Sequence, residues 1–90
     1  MPDTRRWSVQ IFVGEDDGTT YAEAALVDDI GNRARGRGHA KLAPDDVDVP
    51  EIGDEIAVAR ALNDLSRRLL GIAKDDISAI THKKSVALHR

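Results

Sequence analysis

The chain has 90 residues, enough for one small core and too few for two. Hydrophobic residues make up 41% and charged residues 32%, a globular balance and not that of a disordered tail. There is no cysteine, which excludes disulfides, thiolate metal sites and cysteine nucleophiles, and the net charge of −3 argues against a general polyanion binder.

Residues 1–6 lack the apolar stretch of a signal peptide, and no apolar run approaches a bilayer span. A cytoplasmic protein without a membrane segment is expected. Residues 7–13 alternate Trp7, Val9, Ile11 and Val13 with Ser8, Gln10 and Phe12. That period of two with β-branched residues predicts a strand with one buried face. Gly14-Glu15-Asp16-Asp17-Gly18 reads as an acidic hairpin loop bracketed by glycines. Its acids lack the spaced ligand series of a calcium loop, so a solvated tip is expected.

A second strand is predicted over 19–28, with Ala22, Ala24 and Leu26 on the core face and Tyr21, Glu23, Ala25 and Val27 on the other. Alanine favours helices, and the hairpin context decides for strand. Gly31-Asn32 supplies the next turn. Residues 33–42 then alternate strictly: Ala34, Gly36, Gly38, Ala40 and Leu42 on one face, Arg33, Arg35, Arg37, His39 and Lys41 on the other. Two glycines on one strand face need a reason, and close approach of a helix is the physical one.

Ala43-Pro44 ends this strand, and Asp45, Asp46, Asp48, Glu51, Asp54 and Glu55 follow without an intervening base. Pro50 and these acids mark a helix start. From about 52 to 73, Val58, Leu62, Leu65, Leu69 and Ile72 fall at helical steps, widened by Ile52, Ile56, Ala59 and Ala73. Arg60, Asn63, Asp64, Arg67 and Arg68 form the polar side, with Arg60/Asp64 and Asp64/Arg68 as (i, i+4) pairs. The apolar arc covers roughly half the circumference, more than one small sheet should cover, and this predicts a second subunit. Candidate interface residues are Ile52, Ile56, Leu70 and Ile77. Gly71 is expected to loosen or end the last turn. Asp75-Asp76 then cap a short second helix over about 76–81, and the basic stretch 83–90 and residues 1–6 form loose tails of the single domain.

The predicted class is α+β: a three-stranded antiparallel meander on one long helix, then a short helix. Its predicted core is Val9, Ile11, Val13, Ala24, Leu26, Val58, Leu62, Leu65 and Leu69.

At Val49-Pro50-Glu51-Ile52-Gly53-Asp54-Glu55, followed by Val58-Ala59-Arg60-Ala61-Leu62-Asn63-Asp64-Leu65, the sequence resembles a family of small actinobacterial proteins of unknown function. That family is described as having a domain like the double-stranded-RNA-binding fold, and some members are linked to dormancy and low-oxygen responses. Gly36-x-Gly38-x-Ala40-x-Leu42-x-Pro44, Asp76-Ile77-x-Ala79 and Thr81-His82 support the resemblance, which spans roughly residues 7–82. It implies the β-β-β-α(-α) fold, a homodimer and a structural likeness to ribosome hibernation factors. It implies no catalytic residues. Relatives often carry less charge at the positions matching Arg35, Arg37 and His39, which makes the basic strand face a feature of this member.

The chemistry is concentrated in that strand. Residues 33–41 hold four formal positive charges and no acid, which leaves the rest of the chain at −7. Alternate arginines along a strand lie about 6.5–7 Å apart, near the spacing of successive phosphates, and guanidinium pairs with phosphate in a fork. Arg33, Arg35, Arg37, His39 and Lys41 are therefore the candidate site for a ribosome, structured RNA or a protein partner. No aromatic residues interleave with them in sequence, which disfavours single-strand stacking. Competing readings are a solvated charged strand that resists aggregation, and a dimer contact in which acidic residues 45–55 meet the basic strand of a second subunit.

His39, His82 and His89 lack metal spacing, and no metal or cofactor is expected. No nucleophile elbow, phosphate loop or dinucleotide fingerprint occurs, and so small a sheet offers little room for a deep pocket or small-molecule substrate. The function expected is that of a non-enzymatic stress or dormancy protein binding the ribosome or structured RNA. The alternative is a homodimeric protein-interaction module without nucleic-acid binding.

Overall fold

The computed structural model describes the backbone of residues 3–41 and 49–88, and the side chains as far as residue 82. Three strands, β1 (Ser8–Asp16), β2 (Thr19–Val27) and β3 (Asn32–Lys41), form an antiparallel sheet in the order β1-β2-β3, followed by one helix, α1 (Pro50–Leu88). The α+β meander on a long helix is as the alternation and helical steps predict.

The β1–β2 hairpin is tighter than the expected loop. Asp16 is opposite Thr19, so only Asp17 and Gly18 turn, with φ of 50° and 78°. Positive φ at both central residues is the signature of a type I′ turn, which matches strand twist and favours Asp-Gly. Gly14, Glu15 and Asp16 therefore extend the strand. At the next corner the Asp28 carboxylate accepts the N–H groups of Ile30 (2.8 Å) and Gly31 (3.0 Å), while the Asp28 N–H donates to the Gly31 carbonyl at 3.0 Å. The turn thus precedes Asn32, which already belongs to β3. Leu42, Ala43-Pro44 and Asp45, Asp46 and Asp48 lie outside the described residues.

Pro50 occupies the first helical position, where its missing N–H costs nothing. The expected break at Gly71 and second helix over 76–81 do not occur; α1 runs through both for 39 residues. One mid-helix glycine costs about 1 kcal/mol, which neighbouring turns absorb, and Asp75-Asp76 sit on an exposed surface with no cap to make. At 1.5 Å per residue α1 is about 58 Å long, against about 30 Å for the strands. Its C-terminal half projects past the sheet, and residues 73–82 are all exposed.

The helix packs over β2 and β3 and barely reaches β1. The buried core is Ala22, Ala24, Leu26, Ala40, Ala57, Ala61 and Leu65, with Ala34, Val58 and Leu69 partly buried against it. Gly36 and Gly38 provide the close approach their spacing foretold. A Cβ on Gly36 would stand 2.7 Å from the Leu65 Cα, and one on Gly38 2.6 Å from the Arg60 Cβ. Gly53 similarly lets the first helical turn rest on Thr20.

Of the predicted core, Ala24, Leu26 and Leu65 are buried, whereas Val9, Ile11 and Val13 are 42–45% exposed and Leu62 is 40% exposed. The alternation on β1 is real: these three residues stand opposite Leu26, Ala24 and Ala22 and share their face. They are uncovered because the two glycines draw the helix onto β3, one strand too far away.

Candidate functional site

The outer face of the sheet, away from α1, carries the basic row. Antiparallel pairing aligns Arg35 with Ala25, Arg37 with Glu23, His39 with Tyr21 and Lys41 with Thr19. Because residues directly opposite share a face, Arg35, Arg37, His39 and Lys41 project together from one side of β3; Arg33 falls at a register shift, with no residue directly opposite it, and all five are exposed.

The molecule's own carboxylates answer much of this charge, which the sequence expectation of an unpaired row did not include. Arg35 and Arg37 share Glu23, at 3.4 and 3.3 Å. Arg33 donates to Asp28 and lies over the Trp7 ring, 4.5 Å from its centroid. The N–H groups of Gly31 and Ile30, and then Arg33, hold the Asp28 carboxyl below its ordinary range. With Glu23 and Asp28 counted, the four cations of the row leave a net charge of +2. Glu23 was placed on this face by its position in the second strand. The signal that pairs it with Arg37 is the meander register, which depends on the hairpin being two residues long.

Aromatic residues also reach this face, from neighbouring strands and not from within β3. Phe12 is opposite Glu23, and Tyr21 lies beside His39 with ring centroids 6.4 Å apart. Phe12, Tyr21, Glu23, Arg37 and His39 line an open groove of about 580 Å³. Two rings from neighbouring strands thus lie beside the basic row, while none stands within it.

On the other face, Arg60 and Asp64 do not point into solvent away from the sheet as the polar helix side predicts. The Arg37 N–H donates to Asp64 Oδ2 at 2.9 Å, and Arg60 donates to the His39 carbonyl at 2.7 Å. Arg68 and Arg67 complete the cluster around Asp64, at 2.9 and 3.1 Å. The Arg37 N–H, then Arg68, holds the Asp64 carboxyl below its ordinary range. Of the two expected (i, i+4) pairs, Asp64/Arg68 forms, while Arg60 instead reaches the outer edge of β3.

Apolar side chains occupy the rest of this side. Val9, Ile11 and Val13 stand in a row on β1, and Leu62 and Ile72 are exposed on α1. Ile52, Ile56, Leu70 and Ile77 are 40–63% exposed and fall on one helical stripe facing away from Ala57, Ala61 and Leu65. The fold therefore separates two apolar surfaces, the β1 row and the back of the helix.

His39 sits on the outer sheet face and exposed His82 on α1, while His89 lies outside the described residues. Among the described residues, no three metal-ligating side chains come together, and no helix is long and apolar enough to cross a membrane.

A family model for Rv2632c-like proteins matches residues 5–86. The chain belongs to the Rv2632c-like family. Within the family, the uncharacterized protein Mb1767 of Mycobacterium bovis is 43% identical over 90 residues, covering 94% of this chain and 89% of that protein. The uncharacterized protein Rv2632c of Mycobacterium tuberculosis is 41% identical over 81 residues, covering 90% and 86%. The crystal structure of Rv2632c superposes with a TM-score of 0.79 at 37% identity, over 90% of this chain and 95% of that one. These mycobacterial relatives are consistent with the actinobacterial family of unknown function that the resemblance at Val49–Glu55 points to. The Rv2632c-like match encloses the basic row, Trp7, the β1 row and the exposed helix stripe.

Proposed function

We propose that this Rv2632c-like protein works by association and not by catalysis, as a homodimeric protein-interaction module. The observation that carries this reading is where the apolar mass lies. Leu26 and Leu65 are the only large side chains in the buried core among the described residues. Val9, Ile11, Val13, Ile52, Ile56, Leu62, Leu70, Ile72, Ile77 and Ile80 remain exposed. Apolar surface on this scale is costly to leave in water, and association removes it. Sedimentation equilibrium of the purified chain tests this: the expected mass is twice that of the chain, and a single-chain mass at every concentration defeats the reading.

A second reading is favoured by the outer sheet face. Phe12 and Tyr21 flank a row that keeps a net charge of +2, and the arginines repeat at about phosphate spacing. Under this reading the protein is a cytoplasmic stress or dormancy factor, with a likeness to the double-stranded-RNA-binding fold and to ribosome hibernation factors. It binds the ribosome or structured RNA through Arg33, Arg35, Arg37, His39 and Lys41. Co-sedimentation with ribosomes at two salt concentrations checks it. Binding should fall steeply with salt and disappear when Arg33, Arg35 and Arg37 are changed together to glutamine. No binding at low salt removes this reading. Loss of dimerisation in the triple variant would assign the arginines to the subunit interface.

A further inference from the structure

We propose that the second copy docks edge to edge on β1. The two β1 strands pair antiparallel about a twofold axis at Ile11, giving one six-stranded sheet. This rests on the homodimer reading above and specifies its interface.

The argument begins at the opposite edge. In antiparallel sheets a residue's N–H and C=O point to the same side, and successive residues alternate sides. Because Arg37 N–H and His39 C=O meet Asp64 and Arg60, the odd residues of β3 direct their backbone groups outward. The even residues of β3 consequently bond to even residues of β2, and odd residues of β2 bond to even residues of β1. The groups left over on the outer rim of β1 belong to Val9, Ile11, Val13 and Glu15.

The two rims differ in how they are kept. Charged helix side chains occupy the middle of the β3 rim. Among the described residues no side chain hydrogen-bonds to the β1 rim, and three of its four residues, Val9, Ile11 and Val13, are β-branched. An open apolar edge of this kind is a template for another strand.

Self-complementarity selects the occupant. With Ile11 opposite its own copy, Val9 faces the second copy's Val13 at both ends of the seam. Such β-branched cross-strand pairs are favourable. Continuing the same register outward brings Arg6 opposite Asp16 and Arg5 opposite Asp17, again at both ends. Sliding the strands by two residues one way puts Arg6 opposite Gly14 and keeps a single charge pair, Arg5 with Glu15; sliding them the other way puts Arg6 opposite Gly18 and Arg5 opposite Thr19 and keeps neither, so the Ile11-centred register alone makes both pairs. One register therefore aligns the apolar centre and the charged ends together. The rows Val9, Ile11 and Val13 from both copies then form the floor between the two helices.

Three variants test the geometry by sedimentation equilibrium, with circular dichroism as the check on folding. Ile11→Pro removes an outward N–H that the chain's own sheet does not use. It should yield a folded monomer. Arg6→Glu and Asp16→Arg should each weaken dimerisation about tenfold at low salt, because each puts like charges together at both ends. An equimolar mixture of those two variants should recover wild-type affinity, since the heterodimer restores opposite charges at both ends. The differences should shrink in high salt.

A wild-type dimer that survives all three substitutions would place the interface elsewhere, on the helix stripe, and overturn this proposal while leaving the dimer reading intact. Failure of the mixture to associate more tightly than either variant would overturn the register. A monomeric wild-type chain would overturn both.

Discussion

Gly36 and Gly38 set the distance between sheet and helix, and through it the position of every other surface. With a Cβ 2.7 Å from the Leu65 Cα, alanine at 36 would collide with main chain, which cannot rotate aside. We expect Gly36→Ala to cost about 3 kcal/mol, at the upper end for overpacking, and to lower Tm by about 12–24 °C in a thermal melt. Unchanged stability would mean that the helix can lift from the seam. This seam was legible because two glycines on an alternating strand have few other uses. Asp64 was legible as a charged helix residue and not as a bond to β3, because that contact depends on how far the helix is drawn across the sheet. The folded Asp64 carboxyl titrates below its ordinary value of 3.8. Its contribution to stability is therefore complete above that value and is lost as pH falls through the lower folded value. Denaturant melts of the wild type and Asp64→Asn should differ by a constant amount above about pH 5, and the difference should shrink as pH falls from about 4 through the lowered folded value.

Among the elements, α1 departs most from its sequence pattern. Gly71 and Asp75-Asp76 look like a stop followed by a start, yet a single glycine costs only about 1 kcal/mol and the helix continues through them although residues 73–82 are all exposed. A Cβ at Gly71 meets nothing within 4 Å. Gly71→Ala should then stabilise the protein by about 0.5–1 kcal/mol, read as a rise in Tm of about 2–8 °C. A loss of stability would show that the chain needs a bend there. The strands were legible from alternation, and so was a hairpin turn between β1 and β2, though it was read as the whole of Gly14–Gly18 and only Asp17-Gly18 make it. Alternation says which side chains share a face, however, and not whether anything covers it. For that reason Val9, Ile11 and Val13 were assigned to a core that the helix never reaches.

Across the whole molecule, the excess of apolar residues over what one sheet can cover was readable from composition and period. Where the excess emerges was not, since it depends on the offset of α1 toward β3. The basic row was readable residue by residue, while its neutralisation was not, because Glu23 and Asp28 enter from other parts of the chain. Glu23→Gln provides a test at this scale. It releases Arg35 and Arg37 together and raises the net charge of the outer face from +2 to +3. If that face binds ribosomes, the variant should bind more tightly than wild type at low salt, by about tenfold or less, with a steeper salt slope. Identical binding would place any RNA contact elsewhere.

The occupied β3 rim also bears on how large an assembly can become. A sheet with two accessible rims can recruit a neighbour at each, and such growth has no natural end short of a fibre. Here Asp64 and Arg60 occupy the Arg37 N–H and the His39 carbonyl in the middle of one side, so a third chain could not pair along the whole of that rim once two were joined through the other. Removing both stoppers while keeping β1 unchanged is accordingly the alteration most apt to turn a closed pair into an open-ended polymer.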